Sequence, residues 1–193
     1  MIELYQRQIF SDDEEVNTPI EEDDLLVLKY VRLKNPKNIL LGYINVNSIR
    51  NKLNKKFYTL FGNTFDFFVI AESKLDDSFP SAQFELSWYK SSPYRLEKTS
   101  KSGGLLIYVN KNIPSRQLKG FPIRETFQIV PIELNLRKLK WLIVSIYRPP
   151  DINLNDFLAC LSNLFDFYSN YDRIIVMGDF NSEPDGREIS EFL

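Results

Sequence analysis

Five apolar runs, each too short to span a membrane, recur along the chain: "ILLGYIN" (39–45), "DFFVIA" (66–71), "LLIYV" (105–109), "KWLIVSIY" (140–147) and "RIIVM" (173–177). Runs of this length, rich in β-branched and aromatic residues and bounded by Gly, Pro, Asn or Asp, predict buried strands. Helical spacing fills two of the intervals. Asn47 or Ser48 can cap a helix with apolar positions Ile49, Leu53, Phe57, Leu60 and Phe61, stopped by Gly62–Asn63. A second helix carries Phe157, Leu161, Leu164, Phe165 and Tyr168 on one face. "TFQIVPIELN" and "KWLIVSIY", joined by the polar "LRKLK", predict a hairpin, with Pro131 arguing that its first strand is an edge strand or bulged. Strands interleaved with helices and one hairpin predict a layered α/β or α+β domain.

Composition bounds the chemistry. With 193 residues, 44% of them hydrophobic, the chain is long enough to bury a core as one domain. No apolar stretch approaches the ~18 residues of a membrane span, and the amino terminus is acidic where a secretory signal would be basic. The expectation is therefore a soluble, intracellular protein with no membrane partner. A single cysteine, Cys160, permits no disulfide within the chain, and the absence of histidine excludes a Cys–His nucleophile and the usual zinc sites. Cys160 lies among Leu158, Leu161 and Leu164 and reads as a small core residue.

Charge is unevenly placed. The first 24 residues hold nine acids against one base, Arg7, which leaves residues 25–193 with 23 bases and 17 acids. Residues 1–37, acidic and broken by Pro19, read as a disordered leader, with the folded domain from 38 to 193. The mildly basic body suits a polyanionic partner such as nucleic acid, though ordinary solvated surfaces carry a similar excess.

Polar residues gather where three apolar runs stop. Asn45 and Asn47 follow the first, Glu72 follows the second, and Asp179 and Asn181 follow the last. A carboxylate and amides at strand ends suit an oxygen-donor site for a hard divalent ion such as Mg²⁺, where phosphate could be polarised and water oriented. Asn, Asp and Gly also dominate turns and caps for conformational reasons alone, so spacing leaves both roles open.

An ordered series of blocks carries a resemblance: "INVNSIRNKL" (44–53), "DFFVIAESKLDDSFP" (66–80), "PYRLEKTSKSGGLLIYV" (93–109), "ELNLRKLKWLIVSIYRPP" (133–150) and "IIVMGDFNSEP" (174–184). Together they resemble the endonuclease/exonuclease/phosphatase superfamily, most closely the endonuclease domain of LINE-like (non-LTR) retrotransposons, over nearly everything from residue 39 onward. The resemblance implies a layered sandwich of two β-sheets flanked by helices, and Mg²⁺-dependent hydrolysis of phosphodiesters in DNA. It implies that Glu72 is the principal metal-binding carboxylate, with Asn45 organising the metal and phosphate site. Tyr147 would contact the phosphate, Asp179 would orient or deprotonate the attacking water, and Asn181 would hydrogen-bond the phosphate. Arg148, Lys74 and Arg50 are the candidate nucleic-acid contacts. Tyr147 could equally be a core aromatic, Asn47 a helix cap, and Arg148 and Lys74 solvated charges.

The pattern departs at its end. The family continues past "GDFN" with further strands and a closing Ser-Asp-His block, whereas 12 residues follow Asn181 here and the chain has no histidine. The expectation is a second sheet short of its C-terminal strands and a nuclease strongly impaired as written. The competing expectation is a non-catalytic remnant that at most binds nucleic acid.

Overall fold

The computed structural model describes residues 22–49, 64–90, 93–96 and 103–181. The chain divides into two compact units, Met1–Ile113 and Pro114–Leu193, where composition predicts a single domain. Each unit has its own four-stranded sheet and its own apolar core, which is what lets each be compact.

The first unit opens with helix α1 (Glu22–Lys34), followed by strands β1 (Leu41–Asn45), β2 (Phe67–Ala71), β3 (Tyr94–Leu96) and β4 (Leu105–Val109), with a short 3-10 helix, Ser81–Phe84, between β2 and β3. The sheet order is β1-β2-β4-β3, with β1 and β2 parallel and the other pairs antiparallel. Every residue of β2 and β4 is buried, which explains why these strands read as unbroken apolar runs. Ile44, Phe68, Ile70, Leu106 and Tyr108 form the centre of this core.

Helix α1 corrects the expected leader. Residues 22–34 fall inside the acidic segment but are helical, and Leu28 and Val31 pack against the core. Arg32 fastens the helix: its Nη2 donates to Thr64 O at 2.7 Å and to Asp66 Oδ2 at 2.9 Å, while Asp66 Oδ2 also accepts from Leu40 N at 2.9 Å. One carboxylate thus joins the helix to the entry of β1. Residues 1–21, and the helix expected from Ile49 to Phe61 beyond its first residue, lie outside the described residues.

In the second unit, strands β5 (Ser115–Gln117), β6 (Gln128–Leu136), β7 (Leu139–Tyr147) and β8 (Arg173–Asp179) are ordered β5-β6-β7-β8, with helix α2 (Leu154–Phe167) connecting β7 to β8. The expected hairpin is present but tighter than its sequence suggests. Leu136 pairs with Leu139, and the turn is Arg137–Lys138, both left-handed at φ 52° and 66°. Two consecutive positive φ values define the type I′ geometry that matches strand twist.

Pro131 does not mark an edge or a bulge. It sits in β6, between β5 and β7, in unbroken register with Val144. Its ring is tolerated because β5 ends at Gln117, opposite Ile132, and the next residue, Leu118, only donates to Pro131 O. The lost N–H falls where the neighbouring ladder stops. Helix α2 is capped by Asn153, whose side chain accepts from Asp156 N, and buries Phe157, Leu158, Leu161 and Leu164 against β7 residues Leu142, Val144 and Ile146.

The architecture is the fold class expected from the sequence, two mixed β-sheets with helices. No helix among the described residues is long and apolar enough to cross a membrane.

Candidate functional site

The first cluster forms where β1 and β2 end side by side. Their parallel register pairs Asn45 with Ala71, so Asn45 lies beside the residue that precedes Glu72. Asn45 Nδ2 donates to Glu72 Oε1 at 2.7 Å, and Asn45 Oδ1 accepts from Asn47 N at 3.1 Å. Lys74 completes the group: its ammonium lies 3.8 Å from Glu72 Oε2 and donates to Asn47 Oδ1. Four side chains singled out in the sequence are therefore one hydrogen-bonded network. The Glu72 side chain remains 20% exposed, open enough to take a ligand.

The backbone beyond the strands holds this group in place. Ser48 N donates to Glu72 O at 2.7 Å and Ile49 N to Ser73 O at 3.1 Å, while Ser73 N and Lys74 N donate to Gly104 O and Gly103 O. Asn47, Ser48, Glu72 and Lys74 all have positive φ. Outside the hairpin turn, the only other described non-glycine residue with positive φ is Asn181. Left-handed backbone is costly for residues with a Cβ and concentrates where geometry serves a site. Gly104, at φ 93°, sits so close to Ser73 that an added Cβ would lie 2.6 Å from its Oγ, which accounts for one of the two glycines before β4.

The second cluster forms where β7 and β8 end. The parallel register places Asp179 opposite Tyr147, two residues beyond the end expected for this strand. Arg148 N donates to Asp179 O at 2.8 Å, Asn181 N donates to Asp179 Oδ1 at 2.8 Å, and Asn181 Nδ2 donates to Arg148 O at 2.7 Å. Tyr147 is buried, with 4% exposure, as the core reading of this residue expects.

Two residues of this cluster differ from, or were missed by, the sequence reading. Arg148 was expected to hold nucleic-acid phosphate or to be a solvated charge, but it is buried, and its Nε, Nη1 and Nη2 donate to the carbonyls of Phe180, Ile152 and Asn181. A guanidinium fork can tie two backbone segments at once, here Ile152 and Phe180–Asn181, which makes Arg148 a positioning residue. Gly178 was not singled out. It has φ 143°, and an added Cβ would lie 1.9 Å from Ile146 O, so only glycine lets β8 run this close to β7 just before Asp179. Its signal in the sequence is a glycine inside an apolar run, a mark of close backbone approach. Arg50 lies outside the described residues.

The donor set suits a hard cation. Glu72 and the amide oxygens of Asn45 and Asn47 are hard oxygen donors of the kind Mg²⁺ takes beside water, with Asn45 Oδ1 here accepting from Asn47 N and Asn47 Oδ1 from Lys74. The ammonium of Lys74 beside Glu72 Oε2 marks the place as one that attracts positive charge. Among the described residues no three His, Cys, Asp or Glu side chains come together to hold a metal ion, and Glu72 stands here with amides.

The fold is shared with solved nucleases that act on DNA or belong to mobile elements. The chain is similar to the endonuclease domain of TRAS1, a telomere-specific non-LTR retrotransposon, at 15% identity and a TM-score of 0.58, over 81% of this chain and 69% of that domain. It is similar to the 3′-5′ exonuclease NExo from Neisseria meningitidis at 18% identity and a TM-score of 0.55 over 76% of this chain, and to the APE2 catalytic domain of Xenopus laevis at 15% and 0.57 over 75%. The chain spans 59% of each of these last two proteins. No family model matches the sequence, and no curated protein matches it.

Proposed function

We propose that the chain is a metal-dependent phosphodiester hydrolase acting on DNA, of the type found as the endonuclease domain of non-LTR retrotransposons. The observation that carries the reading is the placement of Glu72–Asn45 and Asp179–Asn181 at the ends of parallel strand pairs, with Glu72 and Asn181 on left-handed backbone, in a fold shared with DNA-processing enzymes. Glu72 and Asn45 would hold a divalent cation, with Mg²⁺ the ion their hard donors suit. Bound there, the ion would supply neutralisation of phosphate charge.

The remaining roles belong to the chain's own residues. Asp179, its Oδ1 oriented by Asn181 N, directs the attacking water and accepts its proton. One Asn181 amide hydrogen is held by Arg148 O, and the second is left for a phosphate oxygen. Tyr147, opposite Asp179, offers its phenol to the phosphate. Lys74 holds Glu72 and Asn47 until substrate arrives, then contributes charge to the phosphate. Phosphoryl transfer depends on positioning and charge neutralisation, and these groups suffice for both.

The 193-residue chain contains no histidine, so no imidazole assists the leaving group. A general acid–base group contributes about 10²–10⁴-fold, so hydrolysis by this chain is slow. The same observation favours the second reading, a domain that binds nucleic acid without cutting it. Supercoiled plasmid incubated with a large excess of protein in Mg²⁺ separates the two. Slow nicking abolished by chelator supports the hydrolase, and intact plasmid retained by folded protein supports the binder.

A further inference from the structure

A cleft of about 460 Å³ opens in the second unit, between β5–β6–β7 and the C-terminal end of α2. It lies away from the Tyr147–Asp179 cluster. Lys140 and Tyr147 are seven residues apart on β7, about 23 Å at the rise of a strand. None of the residues discussed above for hydrolysis lines it.

Its floor is a built polar group. The Glu133 carboxylate, whose side chain is 6% exposed, receives Arg116 Nε at 2.8 Å, Arg116 Nη2 at 3.1 Å and Tyr171 Oη at 2.7 Å. That carboxylate is fully engaged, so the floor presents no free negative charge. The charges left over are positive: the exposed ammonium groups of Lys119 and Lys140.

Two observations point to a ligand with a ring beside its charge. Phe167 lines the cleft with 55% of its surface exposed, an unusual position for a phenyl ring at the end of an amphipathic helix. Tyr168, 7% exposed, also lines it, and its buried Oη has no hydrogen-bond partner among the described residues. An unpartnered buried hydroxyl is costly unless something else satisfies it.

We infer that this cleft binds a nucleotide, with its phosphate between Lys119 and Lys140, its base against Phe167, and a polar edge meeting Tyr168 Oη. Stacking of a base on an aromatic side chain is tolerant of base identity, and two ammonium groups suit a phosphate. The nucleotide could be free or part of a single strand, since both present the same chemistry. This inference does not depend on hydrolysis.

The test is an amide-shift NMR titration of the whole chain in chelator, where catalysis is silent, with deoxyadenosine monophosphate, inorganic phosphate, thymidine monophosphate and an octathymidylate strand as probes. Expected are saturable shifts in residues 116–120 and 167–171, with the nucleotide bound at least about fivefold more tightly than phosphate alone. Phe167→Ser should erase that difference, and Lys119→Ser with Lys140→Ser should weaken nucleotide and phosphate together. The two lysines are exposed, and because the Phe167 ring also meets Phe121 and Tyr168, unshifted amides in β6 and β7 check that each variant keeps the fold. Tighter binding of the strand than of thymidine monophosphate identifies a strand as the source, and equal binding identifies the free nucleotide. No saturable shift, or shifts indifferent to these substitutions, overturns the inference.

Discussion

Tyr147 and Asp179 are register partners at the end of the parallel pair β7 and β8, and the two residues around which the second cluster is built are thereby fixed by backbone hydrogen bonding. Arg148 N extends the ladder by one further bond, to Asp179 O. The position of the carboxylate is thus a property of sheet geometry, and substitutions that disturb the approach of β8 to β7 should move it.

Gly178→Ala is the sharpest such change. The new Cβ would collide with Ile146 O in a backbone conformation that alanine adopts only with strain. The collision involves main chain on both sides, so no side chain can turn away to relieve it. The expected outcome is a loss of about 2–4 kcal/mol in urea unfolding. A loss below about 0.5 kcal/mol would show that the strands separate easily here.

Arg148→Met keeps the stem and removes the donors to Phe180, Ile152 and Asn181. Three carbonyls lose a charged donor at once, so the expected cost is about 2 kcal/mol or more. Arg148→Lys should recover little, because an ammonium cannot reproduce a planar fork. If lysine restores full stability, the residue serves as charge alone. A positioning role further requires that amide shifts of 179–181 move in Arg148→Met at concentrations of urea where the fold persists.

Arg32→Ala tests the attachment of α1. Arg32 donates to Thr64 O and Asp66 Oδ2 across a partly exposed surface, so the expected loss is about 1 kcal/mol, accompanied by faster amide exchange in residues 26–34. Exchange in α1 unchanged from the parent chain would contradict the fastening role.

Glu133 supplies a pH signature. The hydrogen bonds from Arg116, and then that from Tyr171, hold its carboxyl below the ordinary value of 4.5 against the opposing effect of burial. A lowered folded value means its contribution to stability is complete above about pH 4.5 and is lost as pH falls through the folded pKa. Glu133→Gln should therefore lower stability at neutral pH and flatten its acid decline. Tyr171 has the opposite sign: burial and then the Glu133 hydrogen bond push its phenol up to about 12, so that contribution is complete below pH 10 and lost on passing 12. Tyr171→Phe should remove one late-titrating phenol from the alkaline absorbance curve. A wild-type acid decline identical to that of Glu133→Gln would contradict the arrangement.

Much of this arrangement was legible in residues. The buried strands β2, β4 and β7 advertise themselves as apolar runs because both of their faces are covered, and the strand-end polar residues follow from where those runs stop. The short strands β3 and β5, "YRL" and "SRQ", were not legible, since three partly polar residues carry no period and pair only because a neighbour offers an edge. Pro131 misled because its acceptability depends on where β5 happens to end. Helix α1 was hidden by the charge of its surroundings, and its anchor, Arg32 with Asp66, joins residues 34 positions apart. Arg148 could be seen beside Tyr147, but its burial depends on carbonyls more than 30 residues further on.

The proposal that Glu72 and Asp179 serve one hydrolytic reaction is put to the test by a double-mutant comparison of plasmid nicking in Mg²⁺. Residues that act as a unit give non-additive losses. Expected are slow nicking by the parent chain, a fall to the same floor in Glu72→Gln and in Asp179→Asn, and no further loss when both are changed. Nicking that survives either substitution, or falls in the double variant by the product of the two single losses, would contradict it.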